Sequence, residues 1–378
     1  MTLEARRKAI AQLEQERKSR VVTLITGDRH SDIALPGLPG KIAGDQARVL
    51  YDHLRDIGHT QRLDLFLYTR GGDSTVPWVF VNLLRSHCEH LGVLVPYRAH
   101  SAGTLICLGA DEIVMGTAGE LSPIDPTTGN QFNPQDPNNP ASRLGINVED
   151  VTSYISLATD KVGLTDKEHV LAVFKQLAEE VHPLALGNVS RTHTQIRLLA
   201  QKLLALHMKG EGSAAQMERI VDILTERLYS HLHFIGRREA SEDVGLKIIQ
   251  PSAELEERMW NLYTEYEEAL SLRKPIIAEA LLGEERETDL TVPVAFMQSA
   301  HLSHVCRVLC RIRREPRITP QLQAQIIANL FQLRCQQPDL QPNKLPDELP
   351  TLAGLESGYG VRMLSGGWQQ EEEENEES

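Results

Sequence analysis

Charged and apolar residues alternate at helical spacing over residues 3–19. The chain then turns to a run with almost no polar face, Arg20-Val-Val-Thr-Leu-Ile-Thr26, closed by Gly27-Asp28. The first pattern predicts a helix and the second a strand buried on both sides. A Pro/Gly-bearing loop, Leu35 to Gly40, leads into a helical stretch from about Gly44 to Asp56. The next strand, Leu63 to Thr69, is broken by Arg70-Gly71-Gly72-Asp73-Ser74. An apolar helix over Val76 to Leu91 precedes the strand Gly92 to Arg98, and His100-Ser101-Ala102-Gly103-Thr104 forms the following turn. Leu105 to Gly109 continues as helix, and Asp111 to Gly116 is a further short strand. Strands alternating with helices through short turns imply right-handed βαβ units on a mainly parallel sheet, with chemistry at the carboxyl ends of the strands. Both glycine-bearing turns fall there.

Beyond that core, residues 127–148 are rich in Asn, Pro, Gln and Asp and read as an exposed loop. Helical patterns resume over Val148 to Val162, Thr165 to Val181, Leu184 to His207 and on to about Arg227. The expected division is an N-terminal helix (1–19), an α/β catalytic domain (20–250), a mainly helical accessory region (251–350) with a linker at Pro342 to Pro350, and an acidic, disordered tail (351–378). His301-Leu-Ser-His304-Val-Cys306-Arg-Val-Leu-Cys310 reads as an amphipathic helix with buried thiols rather than a metal site, because its spacing fits no zinc pattern.

Composition narrows the partners. In 378 residues the net charge is −13, which disfavours nucleic acid, since phosphate binding needs a clustered basic surface. Six of those negative charges sit in Glu371 to Ser378. No segment approaches the roughly 18 apolar residues of a membrane span. The charged N-terminus lacks the apolar stretch of a signal peptide, and five scattered cysteines look like reduced thiols. A cytoplasmic location is the expectation.

Two turns are the candidates for chemistry. A serine at a strand-to-helix turn exposes its hydroxyl at the sheet edge, and small neighbours such as Ala102 and Gly103 let a carbonyl approach backbone N–H groups. Taken alone, Ser101 reads better as a helix cap than as a nucleophile, and Gly71-Gly72 better as a tight turn. Neither a dinucleotide fingerprint nor a P-loop accompanies them. Together they place an N–H donor and a nucleophile at neighbouring strand ends, the arrangement that acyl transfer through an oxyanion requires.

The stretch from Leu65 to Pro126, with LFLYTRGGDS, HSAGTLICLGADEIVMG and GELSPIDP, resembles the Clp-protease/crotonase superfamily. Within it the serine dehydrogenase proteinases, relatives of signal peptide peptidase A, are most similar. Phe234 to Lys247 is similar to the closing element of the same fold, so the resemblance covers roughly residues 20–250. It implies Ser101 as nucleophile, Gly72 and Ala102 as oxyanion donors, a peptide or protein substrate, a homo-oligomer, and no metal or organic cofactor. One departure stands out. Clp peptidases carry their histidine in the element matching Leu121 to Pro126, and none is present here. Signal peptide peptidases use a lysine ahead of the handle helix, which points to the region around Lys175 and His182. His182 is the leading expected base, with His231 near the acidic triad position and Lys175 and Lys161 as alternatives. The rival readings are a crotonase-like acyl-CoA enzyme, which needs the N–H pair but no nucleophile, and a scaffold that kept the fold without chemistry.

Overall fold

The computed structural model describes residues 3–27, 40–125, 127–136, 139–228, 233–317 and 356–371, together with the single residues 38, 230 and 328. Helix α1 (Leu3–Arg17) leads into β1 (Arg20–Thr26). Then follow α2 (Gln46–Ile57), β2 (Thr60–Tyr68), α3 (Val76–Arg85), β3 (Cys88–Val95), β4 (Arg98–Ala99), α4 (Ala102–Leu108), β5 (Glu112–Met115) and β6 (Glu120–Leu121). The helix expected to reach Leu91 stops at Arg85, because Leu91 and its neighbours pair with β2 in register from Cys88 onward.

Residues 127–147 are not a plain loop. Strands β7 (Thr127–Thr128), β8 (Gln135–Asp136), β9 (Asn139–Arg143) and β10 (Ile146–Asn147) pair as two small antiparallel units. Asn133 is buried between them and donates to the carbonyls of Thr128 and Leu144. Helices α5 (Val148–Ser156), α6 (Lys167–Glu180), α7 (Pro183–Leu204) and α8 (Ser213–Asp222) come next. They are followed by β11 (Ile235–Gly236), α9 (Arg237–Glu239), β12 (Ile248–Ile249), α10 (Ala253–Ala269) and α11 (Ala278–Leu282).

The C-terminal region departs most from expectation. Instead of being mainly helical, it adds β13 (Glu287–Gln298), β14 (Ser303–Arg317) and β15 (Glu356–Gln370) to the central sheet. The sheet order is β12-β5-β3-β2-β1-β13-β14-β15. The strands from β12 to β1 run parallel, and the last three are antiparallel. In β14 the buried positions are Ser303 and Val305, then Val308, Cys310 and Ile312. The alternation skips a residue where the register shifts between Pro293 and Ala295 on β13, and that bulge hides the strand period in the sequence. Part of the expected disordered tail is thus strand β15, and Glu371 just beyond it is ion-paired to Arg6 at 2.7 Å. The expected linker at Pro342 to Pro350 lies outside the described residues, as does the rest of the acidic tail.

Successive side chains on a strand point to opposite faces, and here both faces are packed. Val22, Leu24, Leu65, Leu67, Val93 and Val95 face α2, α3, α4 and α7. Val21, Ile25, Phe66, Tyr68 and Leu94 face α1 and α10, whose Ile10, Leu13, Tyr263 and Tyr266 complete a second core. This is the α/β sandwich with flanking helices that the strand–helix alternation predicts. Among the described residues no helix is long and apolar enough to cross a membrane.

The turn after β13 is fastened to α2 by a chain of polar groups. His53 is buried, its Nδ1 2.9 Å from Ser299 Oγ and its Nε2 3.0 Å from Nδ1 of His304. Burial, reinforced by His304, pushes the His53 imidazole down to about 3, while Asp52 opposes the shift. His304 is lowered by its own burial, again against Asp52, which is itself paired with Arg48. Both histidines therefore bind protons less readily folded than unfolded. Stability is full above the ordinary histidine pKa and falls as pH drops from about 6.5 toward 3. The unfolding free energy from urea titrations between pH 7 and 4 is expected to fall by about 1 kcal/mol per pH unit from this pair. A His53→Gln variant, less stable at pH 7, is expected to show a flatter slope; an unchanged slope refutes the assignment.

Candidate active site

Thr69 follows β2 and is fully buried. Its N–H donates to Arg98 O at 2.9 Å and its carbonyl accepts from His100 N at 3.0 Å, which ties the end of β2 to β4. The two glycine-bearing turns are thereby brought side by side. Gly71 adopts φ +110° and Gly72 φ +152°, conformations that glycine alone takes readily. A methyl group on Gly71 would lie 2.9 Å from Ser101 Cβ and 3.3 Å from its Oγ. One on Gly72 would lie 2.2 Å from the carbonyl oxygen of Ile42, which pairs alongside the turn.

Ser101 has φ +50° and ψ −110°, a strained backbone for any residue with a side chain. It occupies the N-cap position of α4 but makes no side-chain capping bond, so the helix-cap reading fails. Helix α4 is only seven residues long, and its dipole contributes little. What matters at this turn is which N–H groups are committed. Gly71 N donates to Thr69 Oγ1 at 3.0 Å, Ser101 N to Ser122 Oγ at 2.7 Å, Gly103 N to His100 O at 2.7 Å, and Asp73 N to Ile42 O at 2.9 Å. Among the described residues no acceptor takes the N–H of Gly72 or of Ala102. Two uncommitted donors flanking a strained serine are what an incoming oxyanion needs.

The expected bases stand on the helical segment from α5 to α7. His182 is exposed at the N-cap of α7, where its Nδ1 accepts from Leu184 N at 3.1 Å and its ring stacks on Phe132 at 4.8 Å. Lys175 sits on α6 and Lys161 at the end of the π-helical turn after α5, both exposed. Among the described residues no hydrogen bond joins any of the three to Ser101. His231 lies outside the described residues.

Three groups at the site lie within the resembling motifs but have no role assigned from them. His100, immediately before Ser101, turns its Nε2 to within 3.5 Å of Glu120 Oε1, a carboxylate that also takes Arg98. Burial pushes the Glu120 carboxyl up, but His100 and Arg98 outweigh it and hold it below the ordinary carboxylate range. Thr69 and Ser122, whose hydroxyls touch the two turns, read in the sequence as ordinary strand-end residues. Among the described residues no group of three or more His, Cys, Asp or Glu could hold a metal.

A mainly parallel sheet flanked by helices thus brings a glycine pair and a strained serine together at its carboxyl ends. Residues 1–152 match the model of one family, the ClpP-like SDH-type serine proteinases. Curated relatives include two uncharacterized proteins of Methanocaldococcus jannaschii. MJ0137 is 33% identical over 127 residues, which are 33% of this chain and 44% of that one. MJ1495 is 29% identical over 126 residues, 33% of this chain and 42% of the other. The chain thus spans less than half the length of these relatives. Similar solved structures include two variants of 1510-N, a membrane-bound stomatin-specific protease, one of them in complex with a substrate peptide. They are 13% and 14% identical with TM-scores of 0.33, and cover 56% of this chain and 73% and 69% of their own.

The packing at Gly71 yields a direct test. Gly71→Ala is expected to lower reaction of Ser101 with a fluorophosphonate at least about 10-fold, the effect of sub-ångström misplacement at a reacting centre. Gly44→Ala, where an added Cβ meets nothing within 4 Å, is expected to react like the parent. Equal labelling of all three proteins would separate Gly71 from the site.

Proposed function

We propose that the protein is a serine peptidase that cleaves peptide substrates through an acyl-enzyme at Ser101, without ATP. The observation that carries this reading is the strained Ser101 pressed against Gly71, with the free N–H groups of Gly72 and Ala102 on either side. In the reaction Ser101 Oγ attacks the scissile carbonyl, the carbonyl oxygen takes up negative charge between the two N–H donors, and the amine leaves with a proton. Water then attacks the ester and restores the serine. The family match supports serine-type proteolysis at the level of the family. A crotonase-like enolate site gains nothing from a hydroxyl held in a strained turn, so the geometry favours the peptidase.

The proton acceptor comes from the exposed helical segment around α5–α7, at His182 or at Lys161 or Lys175, with His231 as the further alternative. His182 has to leave its capping bond to serve through Nε2, since Nδ1 now holds the ring lone pair toward Leu184 N. The same segment supports self-association. Helix α6 buries none of its residues in this chain, and Leu171, Phe174, Leu157 and Val162 are all exposed. A second copy is the occupant that such an apolar face suits. Free thiols at Cys88, Cys107, Cys306 and Cys310 support a reducing, cytoplasmic setting.

Intact mass after fluorophosphonate treatment, with the adduct mapped by digestion, tests the nucleophile. One adduct at Ser101 is expected, absent in Ser101→Ala, with peptidase activity lost in that variant. Its stability should change by less than about 1 kcal/mol, because the hydroxyl caps nothing. Undiminished hydrolysis by Ser101→Ala would sink the mechanism. For the base, His182→Ala is expected to cut turnover by at least about 100-fold. Full activity there with loss in Lys161→Ala or Lys175→Ala would make the enzyme a serine–lysine hydrolase.

A further inference from the structure

Two buried hydroxyls frame the site without facing substrate. Thr69 Oγ1 accepts from Gly71 N at 3.0 Å and from Thr26 Oγ1 at 2.9 Å, and donates to Gly71 O at 3.3 Å. Its methyl closes the other side, since a Cβ on Gly103 would lie 2.5 Å from Thr69 Cγ2. The backbone of Thr69 is bonded to Arg98 and His100, so this one residue holds the glycine turn with its hydroxyl and the serine turn with its amides.

Ser122, just after β6, does the complementary work. Its Oγ accepts from Ser101 N at 2.7 Å and donates to Pro123 O at 2.9 Å. Ser122 is in turn fixed by Thr104, whose Oγ1 accepts from Ser122 N at 3.1 Å and lies 3.0 Å from Ser122 O. The strained Ser101 backbone is thus held from its N–H by a group on the element Leu121 to Pro126. Clp peptidases carry their histidine in that element; in this chain it grips the nucleophile's backbone.

We infer that Thr69 and Ser122 are positioning residues, which fix the Gly72 N–H and the Ser101 hydroxyl relative to each other. The inference rests on Ser101 being the nucleophile. Neither hydroxyl reaches the reacting atoms, so their loss lowers the chemical step and leaves substrate affinity nearly intact.

The test compares parent, Thr69→Val, Thr69→Ser and Ser122→Ala, with folded fraction checked by circular dichroism and labelling rate normalised to folded protein. Thr69→Val keeps the shape and removes the hydroxyl. Thr69→Val and Ser122→Ala are expected to slow fluorophosphonate labelling and kcat by about 10- to 100-fold, with KM changed by no more than about 3-fold. Thr69→Ser, which retains the hydroxyl, is expected to recover most of the rate. A purely structural role predicts less folded protein but an unchanged rate per folded molecule, and that result overturns the inference. Should Thr69→Val not fold, Ser122→Ala decides alone, and parental kinetics in it count against the proposal. A parent that leaves Ser101 unlabelled overturns the nucleophile reading and the positioning role together, a failure distinct from parental labelling that the variants share.

Discussion

The site depends on one constraint: the end of β2 must lie close enough to the end of β4 for two sharp turns to touch. Thr69 and Ala99 form the bridge that meets it. Everything strained at the site follows from this approach. Glycine is required at 71 because the Ser101 side chain occupies the space of a Cβ, and at 72 because Ile42 does. A non-glycine residue at φ +50° costs on the order of 1–3 kcal/mol and persists only where its surroundings over-determine it. Here bonds to Ser101 N and Ser101 O, from Ser122 and Leu105, supply that determination.

The rest of the fold keeps this junction rigid. The parallel strands carry both turns at their carboxyl ends, while a separate ionic cluster locks their amino ends. Asp64 is buried in mid-sheet and takes Arg17 Nε at 2.9 Å and Ser19 Oγ at 2.7 Å. Arg17 bridges onward to Glu112 at 2.7 Å, so α1, β2 and β5 are joined by one guanidinium. A Cβ on Gly92 of β3 would fall 2.1 Å from Asp64 Oδ1, which is why the strand between them carries glycine. Buried charge of this kind does little for net stability but fixes register.

The parallel half and its two turns were legible in the sequence for a physical reason. Unbroken apolar runs ended by Gly71-Gly72 or by Ser101-Ala102-Gly103 leave few alternatives to strand and tight turn. The antiparallel half was not. Arginines interleave with apolar residues along Ser303–Arg317, and the bulge opposite shifts the apolar positions by one, so His301 to Cys310 mimics a helical face. The boundary after Arg85 was missed because Leu91 continues an apolar pattern that either element accepts. Thr69 and Ser122 escaped notice because hydroxyl residues are common at strand ends and turns. The candidate bases His182, Lys161 and Lys175 are exposed and carry no packing pattern, so only the resemblance singled them out.

The element Leu121 to Pro126 shows how one scaffold position serves two ends. It pairs through Leu121 with Ala99 on one side and Ile235 on the other, so it must pass beside Ser101 whatever it carries. A histidine there can take the serine's proton. A serine there lacks the basicity, but its hydroxyl accepts one hydrogen bond and donates another, and both partners lie in the backbone around it. In this chain the serine of that element holds the backbone N–H of Ser101. Separation of holding from proton transfer fits the layout seen here, in which the tight junction is formed within the sheet and the candidate bases project from exposed helices.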